Sequence, residues 1–242
     1  MKYLKNKQMR DIIQYALEED IGSGDITTET LIERNTVKKA HIVAREDCVL
    51  CGAEAIRTIF KLVDDKVHVR LLKRDGEHIK DGDIICRING PVYSILRAER
   101  ICLNYISYLS GISSITNTFV KKIQDTKAHI YDTRKTTPGY RLMEKHAVIT
   151  GGGYNQRIGL FDQVLIKDNH FKALSPEELD DIASLIRRVR KKIPKKMKIQ
   201  VEADCLKLLR KILPAHPDII LLDNMNKPTL RKAVDMIQAE NR

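Results

Sequence analysis

The sequence predicts an α/β protein whose second half forms a parallel sheet. Beyond residue 122, segments with strand character alternate with segments of helical periodicity, which is the pattern of βαβ units. The predicted strands are 128–133, 163–167, 198–203 and 219–222. The predicted helices are 140–150, 176–192, 205–213 and 228–239. An open sheet and a closed barrel both fit this order, and both bind ligands at the carboxyl ends of their strands.

The first half of the chain predicts a smaller, mostly antiparallel sheet with helices packed on it. Its predicted strands are short segments between charged or glycine-containing turns: 37–44, 48–51, 67–72 and 84–88. The spacing of apolar residues predicts helices at 9–19, 53–63 and 92–122. Arg97, Arg100 and Asn104 lie three or four residues apart on the long helix, and this spacing alone indicates only a solvated face.

Composition is typical of a globular, cytoplasmic protein. Of the 242 residues 43% are hydrophobic and 31% charged, and no apolar run approaches the roughly 18 residues of a membrane helix. The basic N-terminus lacks the apolar core of a secretory signal. Five cysteines without framework spacing indicate a reducing compartment. Cys48 and Cys51 form a lone CxxC and are interpreted as ordinary buried or half-buried thiols.

The net charge of +11 would suit a nucleic-acid-binding protein. Much of the excess comes from the run 187–198, at the end of a predicted helix, where cations complement the helix dipole. The run has no interleaved aromatic residues, and the whole chain has no Trp and four Phe, so a base-stacking surface is not evident. The charge therefore predicts a solvated helix end, with neither a nucleic-acid nor a membrane partner.

The stretch 132–170 is rich in cations, which are Arg134, Lys135, Arg141, Lys145, Arg157 and Lys167. Two predicted strands end in cations of this stretch, and the next two end near the carboxylates of Glu202 and Asp223. If the four strands are parallel, these groups converge on one rim. Cations for an anionic ligand beside carboxylates for a divalent cation indicate an enzyme that uses a phosphorylated substrate with Mg²⁺.

A glycine triplet, 151–153, follows a predicted helix in the same stretch. Such glycines can end a helix with positive φ and let backbone N–H groups approach an anion, although a flexible turn explains them equally well. Sequence motifs for nucleoside triphosphates, dinucleotides, serine hydrolases and zinc proteases are absent.

Five blocks, in order along the chain, resemble the quinolinate phosphoribosyltransferase family, the decarboxylating nicotinate-nucleotide pyrophosphorylases of NAD biosynthesis. The blocks are EDIGSGDITT (19–28), RAERICLNYISYLSGISSIT (97–116), DTRKTTPGYRLMEKHAVITGGGYNQRIGLFDQVLIKDNH (132–170), VEAD (201–204) and LLDNM (221–225). The resemblance implies an N-terminal α/β sandwich domain, residues 1–105, which includes part of the long helix. An incomplete, C-terminally shortened α/β barrel, residues 106–242, would follow as the catalytic domain. A homodimer or larger assembly with shared active sites is also implied.

The resemblance further implies a pentosyltransferase reaction. Quinolinate would react with phosphoribosyl pyrophosphate and Mg²⁺ to give nicotinate mononucleotide, pyrophosphate and CO₂. Departure of pyrophosphate would leave an oxocarbenium-like ribose. The protein would align the pyridine nitrogen with the anomeric carbon and neutralise anionic groups.

Roles for individual residues follow from the same resemblance. The residues expected to bind substrate are Arg100, Thr133, Arg134, Lys135, Gln156, Arg157, Lys167, Glu202 and Asp223. Arginine and lysine would contact carboxylates or phosphate oxygens, and Arg100 would reach into the partner subunit's site. Glu202 and Asp223 would contact the ribose hydroxyls or the Mg²⁺ of the donor. The predicted catalytic residues are Lys135, Lys167, Glu202 and Asp223.

Two departures from the family pattern generate alternatives. Gln156 stands where the family usually has His, and Gln cannot become cationic, so we expect weaker binding of a dicarboxylate. The sequence stops at Arg242, before the Ser-Gly-Gly loop that the family uses to hold the 5′-phosphate. The alternatives are a truncated or inactive paralogue that binds anionic ligands without turnover, and a relative that acts on another aromatic acid.

Overall fold

The computed structural model describes residues 7–240 and has a mixed α/β fold. The helices are α1 (Lys7–Ile21), α2 (Ile26–Leu31), α3 (Ala53–Val63), α4 (Val92–Lys122), α5 (Arg141–Thr150), α6 (Asp168–Lys172), α7 (Pro176–Asp180), α8 (Ile182–Lys192), α9 (Leu206–Ile212) and α10 (Lys227–Glu240). The strands are β1 (Val37–Val43), β2 (Cys48–Val49), β3 (His68–Leu71), β4 (His78–Ile79), β5 (Ile84–Pro91), β6 (Val164–Ile166), β7 (Ile199–Ala203) and β8 (Ile219–Leu222). No helix in the described residues has the length and hydrophobicity needed to cross a bilayer. The chain divides into two units, Met1–Gln156 and Arg157–Arg242.

The first unit contains two small antiparallel sheets. In one, β5 lies between β1 and β3, and in the other β2 pairs with β4. The predicted antiparallel pairing is therefore confirmed, although the sheet is split. β4 was not predicted, because two residues are too few to produce an alternating pattern.

Two amphipathic helices supply much of the first unit's core. α3 buries a stripe that includes Ile56, Ile59 and Phe60. α4 runs unbroken through Gly111, and it buries Tyr105, among other residues, in the same apolar cluster. Each aliphatic or aromatic side chain that is buried contributes about 1.5–3 kcal/mol to the free energy of folding. The helical spacing of these residues therefore determines which face of each helix packs on the core.

The glycine triplet brings α5 close to α4. A Cβ on Gly151 would lie 2.4 Å from the Ser113 carbonyl oxygen, and a Cβ on Gly153 would lie 3.0 Å from Thr116 Cγ2. Gly152 has φ +91, the positive value expected of one residue in the triplet. Gly151 and Gly153 therefore allow the end of α5 to pack closely against α4.

The second unit contains a parallel sheet in the order β6-β7-β8. Every residue of β7 is buried, as expected for a central strand covered on both faces. The apolar cluster of the second unit includes Ile186 of α8 and Leu209 of α9 as well as residues of β7. The predicted alternation of strands and helices is confirmed here.

Two predicted elements were wrong. The strand predicted at 128–133 is reduced to a single parallel bridge between Tyr131 and Tyr154, and its first residues stay exposed. The helix predicted at 176–192 is broken at Asp181, which leaves helical geometry and accepts a hydrogen bond from the Ser184 amide. An acidic residue that can cap a new helix competes here with continuation of the old one.

We expect the Gly151→Ala substitution to lower the free energy of unfolding by about 1–3 kcal/mol, because the methyl group would overlap the Ser113 carbonyl. Gly111→Ala is the matched control, since nothing lies within 4 Å of its Cβ position. An exposed helical glycine replaced by alanine should gain roughly 0.5–1 kcal/mol. Urea unfolding measures both, and equal effects of the two substitutions would contradict close packing at Gly151.

Candidate active site

In the first unit, the loop with the predicted anion-binding residues begins at the Tyr131–Tyr154 bridge. The Asp132 amide donates to the Tyr154 carbonyl at 3.0 Å, and the Tyr154 amide donates to the Ile130 carbonyl at 2.8 Å. The Lys135 amide donates to Thr133 Oγ1 at 3.0 Å, which closes a tight turn. Hydrogen bonds thus hold the backbone on both sides of Thr133.

A buried ion pair holds this loop to α5. Lys145 Nζ donates to Asp132 Oδ1 at 2.5 Å, and the two side chains are only 2% and 6% exposed. The same ammonium donates to the Gln156 carbonyl at 3.0 Å, while the Gln156 amide donates to Asp132 Oδ1 at 2.8 Å. The pair therefore fixes the residue before Thr133 and the residue before Arg157 in one network.

A cleft of about 330 Å³ lies beside this network, within the range of about 300–1,000 Å³ seen for small-ligand sites. Thr133 and Lys135 line it, and Lys135 is exposed. Tyr108 and Glu144 form another part of the lining, where the Tyr108 hydroxyl donates to Glu144 Oε1 at 2.8 Å. The cleft therefore combines the exposed Lys135 side chain with several hydroxyl groups and the Glu144 carboxylate.

Arg134 and Arg141 occupy different environments in this loop. Arg141 Nε donates to Thr136 Oγ1 at 3.1 Å, so this guanidinium supports the loop. Arg134 is half-buried, and its Nε finds no hydrogen-bond acceptor in the part of the chain that the structure describes. A buried donor without an acceptor is costly, so this guanidinium is suited to an anionic ligand.

In the second unit, three predicted site residues stand at the carboxyl ends of adjacent parallel strands. Lys167 follows β6, Glu202 lies near the end of β7 and Asp223 follows β8. Ile166 pairs with Val201 and Glu202 with Leu221, so the register puts the three side chains on one face of the sheet. The predicted convergence of a cation and two carboxylates is confirmed for these strands.

The strand-end group of Lys167, Glu202 and Asp223 combines one positive charge with two negative charges. Lys167 Nζ lies 3.6 Å from Glu202 Oε2, and the side chains are 44% and 10% exposed. Asp223 is half-buried, its amide donates to the Ala203 carbonyl at 3.0 Å, and its Oδ2 accepts from Asn224 Nδ2 at 2.9 Å. The Lys167 side chain and the half-buried Asp223 therefore face solvent more than the buried Glu202 does.

Glu202 and Asp223 are the carboxylates at these strand ends that a Mg²⁺ ion held partly by its ligand would use. No group of three potential metal ligands gathers at these strand ends in residues 157–240. Mg²⁺ in phosphoryl sites keeps several waters and takes one or two carboxylates plus substrate oxygens. Glu202 and Asp223 could supply those carboxylates.

Arg157 lies elsewhere in the second unit. It is buried, and its Nη1 donates to the Gln163 carbonyl, the residue just before β6, at 3.2 Å. Gln163 in turn donates to Gln200 Oε1 at 2.9 Å. These contacts are at the amino end of the sheet, whereas Lys167, Glu202 and Asp223 are at its carboxyl ends.

The two arginines of the long helix differ. The Arg97 guanidinium stacks 5.1 Å from the ring centroid of Tyr93 and is half-buried. Arg100 is exposed on α4 and makes no ion pair with another residue between 7 and 240. Of the two, Arg100 is the one whose charge faces solvent.

Sequence reasoning missed Asp132 as a positioning residue and Tyr108 and Glu144 as cleft residues. It also counted Lys145 among the pocket cations, whereas the structure commits its charge to Asp132. The available signal was the carboxylate of Asp132 directly before a run of cations, because a buried cation needs such a partner. Tyr108 gave no signal, since it sits among apolar helix residues.

Two family models match the chain in order. The N-terminal domain of quinolinate phosphoribosyl transferase matches residues 25–110, and its C-terminal domain matches residues 112–242. Together they cover most of the chain.

Curated relatives and solved structures agree with these matches. A probable nicotinate-nucleotide pyrophosphorylase (carboxylating) from Bacillus subtilis is 36% identical, over 94% of this chain and 77% of the relative. A nicotinate-nucleotide pyrophosphorylase (carboxylating) from Mycobacterium leprae is 38% identical, over 89% and 75%. The structure of the nicotinate-nucleotide pyrophosphorylase from Francisella tularensis has a TM-score of 0.87 at 34% identity, over 96% of this chain and 80% of that one.

We expect Lys145→Met to destabilise the protein by about 3–5 kcal/mol, because Asp132 would remain charged and buried without its partner. Adding Asp132→Asn to that variant should recover part of the loss. The exposed pair Lys172–Asp168 is the matched control, and Lys172→Met should change stability by less than about 0.5 kcal/mol. Chemical denaturation of the wild type, of the single variants Lys145→Met and Asp132→Asn and of their double variant measures the coupling, and additive effects of the two substitutions would contradict it.

Proposed function

Because the chain belongs to the quinolinate phosphoribosyl transferase family, we propose that it transfers the phosphoribosyl group of phosphoribosyl pyrophosphate to quinolinate. The products are nicotinate mononucleotide, pyrophosphate and CO₂, and the reaction serves NAD biosynthesis. The observation that carries this proposal is the ordered match of both domains of the family to residues 25–110 and 112–242.

The finer architecture proposed is an α/β sandwich domain, 1–105, followed by an incomplete α/β barrel, 106–242. The passage from one family model to the next at residues 110–112 supports a boundary in this part of α4. The parallel order β6-β7-β8 supports a barrel-like second domain. The proposed boundary differs from the division after Gln156, because part of α4 and α5 pack into the first unit's apolar cluster.

The proposed chemistry depends on anion binding in each unit. In the first, Lys135 and Arg134 would bind carboxylate or phosphate oxygens, with Thr133 and Gln156 contributing hydrogen bonds. In the second, Lys167 is the proposed anion-binding cation at the strand ends, and the family resemblance proposes Arg157 as well, although its guanidinium donates to the Gln163 carbonyl at the amino end of the sheet. Such positioned charges stabilise a transition state in which pyrophosphate departs and positive charge develops on the ribose.

Glu202 and Asp223 are proposed to act at the ribose and at a Mg²⁺ ion carried by the phosphoribosyl donor. Two carboxylates on one face of adjacent strands suit ribose hydroxyls, which donate hydrogen bonds, and suit a partly hydrated Mg²⁺. Bound Mg²⁺ would neutralise charge that accumulates on departing pyrophosphate. The 3.6 Å separation of Lys167 and Glu202 would keep both charges oriented before substrate binds.

The proposal is tested by incubating the protein with quinolinate, phosphoribosyl pyrophosphate and Mg²⁺. We expect stoichiometric nicotinate mononucleotide, pyrophosphate and CO₂, and loss of turnover after chelation of Mg²⁺. Glu202→Gln should keep the fold and lower kcat by about 100-fold or more, the scale seen when a transition-state charge is removed. Lys172→Met, whose ammonium pairs with Asp168 on an exposed surface, is the control and should retain activity.

The same assay separates the alternatives. Calorimetric binding of quinolinate without product would contradict turnover and favour a binding protein. Product from another pyridine carboxylate, with none from quinolinate, would favour a relative that acts on another aromatic acid, as the uncharged amide of Gln156 suggests. Absence of both binding and product would contradict the proposed function as a whole.

A homodimer with shared active sites is proposed on the basis of Arg100. Its exposed guanidinium on α4 would contribute to the partner's site. We expect Arg100→Ala and Lys135→Ala each to lose activity. When the two variants are refolded together in equal amounts, about half of the dimers should be mixed, and one of the two sites in each mixed dimer would be intact. The mixture should therefore regain up to about a quarter of wild-type activity. No recovery, in a mixture shown by mass to contain mixed dimers, would contradict a shared site.

A further inference from the structure

Three different potential metal ligands meet in the first unit, outside the proposed anion-binding loop. Cys51 Sγ, a carboxylate oxygen of Asp75 and a ring nitrogen of His146 all lie within 4.8 Å of one another. His146 Nε2 is 3.0 Å from Asp75 Oδ2. The residues come from the loop before α3, the turn between β3 and β4, and α5, so the fold and not local sequence brings them together.

The backbone around this cluster is fixed by other hydrogen bonds. Asp75 Oδ1 accepts from the Ala53 amide at 2.8 Å, so one carboxylate oxygen stabilises the start of α3 and the other faces His146. The Cys51 amide donates to Ser110 Oγ at 3.0 Å, which ties Cys51 to α4. A site whose ligands are held in place beforehand loses less entropy when a metal binds.

Polar contacts connect the members of this cluster. Burial by itself would lower the pKa of His146, but its contacts with Asp75 and Cys51 raise that pKa to about 9. Thr150 Oγ1 completes the group, 3.7 Å from Cys51 Sγ and 3.4 Å from His146 Nε2. The cluster is therefore a connected polar network at the end of α5, and it borders the apolar core of the first unit.

We propose that Cys51, Asp75 and His146 form a binding site for Zn²⁺ or a cation of the same class. A thiolate, an imidazole and a carboxylate are the three ligand types that Zn²⁺ takes from proteins. Zinc bonds of about 2.0–2.3 Å in tetrahedral geometry put ligand atoms roughly 3.3–3.8 Å apart. Since the present separations are 3.0 Å for the His146–Asp75 pair and at most 4.8 Å overall, side-chain adjustments on the order of 1 Å would suffice.

The ligand chemistry distinguishes this cation from Mg²⁺. A thiolate is a soft ligand that selects zinc-like metals, whereas Mg²⁺ takes oxygen ligands, as proposed for Glu202 and Asp223. The side chains of Asp75 and His146 keep 15% and 18% of their surface exposed, so two of the three ligands are in contact with solvent, while Cys51 is buried. The fourth position would be filled by water or by the Thr150 hydroxyl.

Metal binding would exchange protons for the cation. Zinc ligands bind in their deprotonated forms, so affinity should fall in acid. The bound ion would join the start of α3 to α5, and because it binds only the folded chain it should raise Tm. No catalytic step is assigned to it.

Cobalt(II) is the probe that tests the proposal directly. The full chain, treated with a chelator and dialysed, is titrated with Co²⁺ at mildly alkaline pH. We expect one Co²⁺ per chain, a thiolate-to-cobalt charge-transfer absorption in the near ultraviolet, its loss on adding Zn²⁺, and a higher Tm with either metal. Absence of the absorption, or saturation without any change in Tm, would overturn the proposal.

Variants identify the ligands, with their metal-free melting curves as a check of folding. Cys51→Ser should abolish the absorption, and Asp75→Asn and His146→Gln should each weaken binding by about tenfold or more. Asp75→Asn keeps an oxygen for the Ala53 amide, so it remains informative if Cys51→Ser fails to fold. Cys48→Ser is the matched control and should bind normally; dependence on Cys48 without dependence on His146 would indicate a CxxC chelate instead. Because turnover is not measured, failure here leaves the proposed transferase activity unaffected.

Discussion

The buried pair of Lys145 and Asp132 is the interaction on which the candidate active site depends. A charge taken out of water costs several kcal/mol, and only a close, well-bonded partner offsets that cost. Here each partner has further bonds, because the ammonium also donates to the Gln156 carbonyl and the carboxylate also accepts from the Gln156 amide. Removing either charge would therefore release the backbone on both sides of the loop that carries Thr133 and Arg134.

The strand-end group of the second unit has a different origin. Parallel pairing places equivalent residues of neighbouring strands side by side, so a cation after β6 and carboxylates at the ends of β7 and β8 meet without long-range adjustment. The topology decides which residues meet, and the sequence decides their charges. A site built in this way is positioned by the sheet and is less sensitive to loop conformation than the cleft of the first unit.

These two origins explain what the sequence could predict. α3 and α4 were predicted to the residue, since long apolar stripes and clear breakers define them. The rim of Lys167, Glu202 and Asp223 followed from alternation alone. The bridge at Tyr131 and the pairing of Lys145 did not, because each depends on a contact with a residue chosen by the fold. The break at Asp181 is local, but continuation of the helix and a new cap on Ser184 compete there, and the helical spacing does not decide between them.

The environment of Cys51, like the pairing of Lys145, could not be predicted from the spacing of the CxxC pair. Its spacing indicated two unremarkable thiols, and Cys48 remains one, half-buried in β2. Cys51 lies instead beside residues from two distant segments, which no local pattern could reveal. Secondary-structure alternation cannot apply to it either, because β2 ends at Val49 before Cys51 is reached.

α5 connects these features. Lys145 and His146 are consecutive, so their side chains leave the helix about 100° apart. One binds Asp132 and the other binds Asp75, while Gly151 at the helix end lies against α4. Two carboxylates on different sides and one close backbone contact leave the helix little freedom to rotate or slide. The position of the anion-binding loop is thus set in part by how α5 packs.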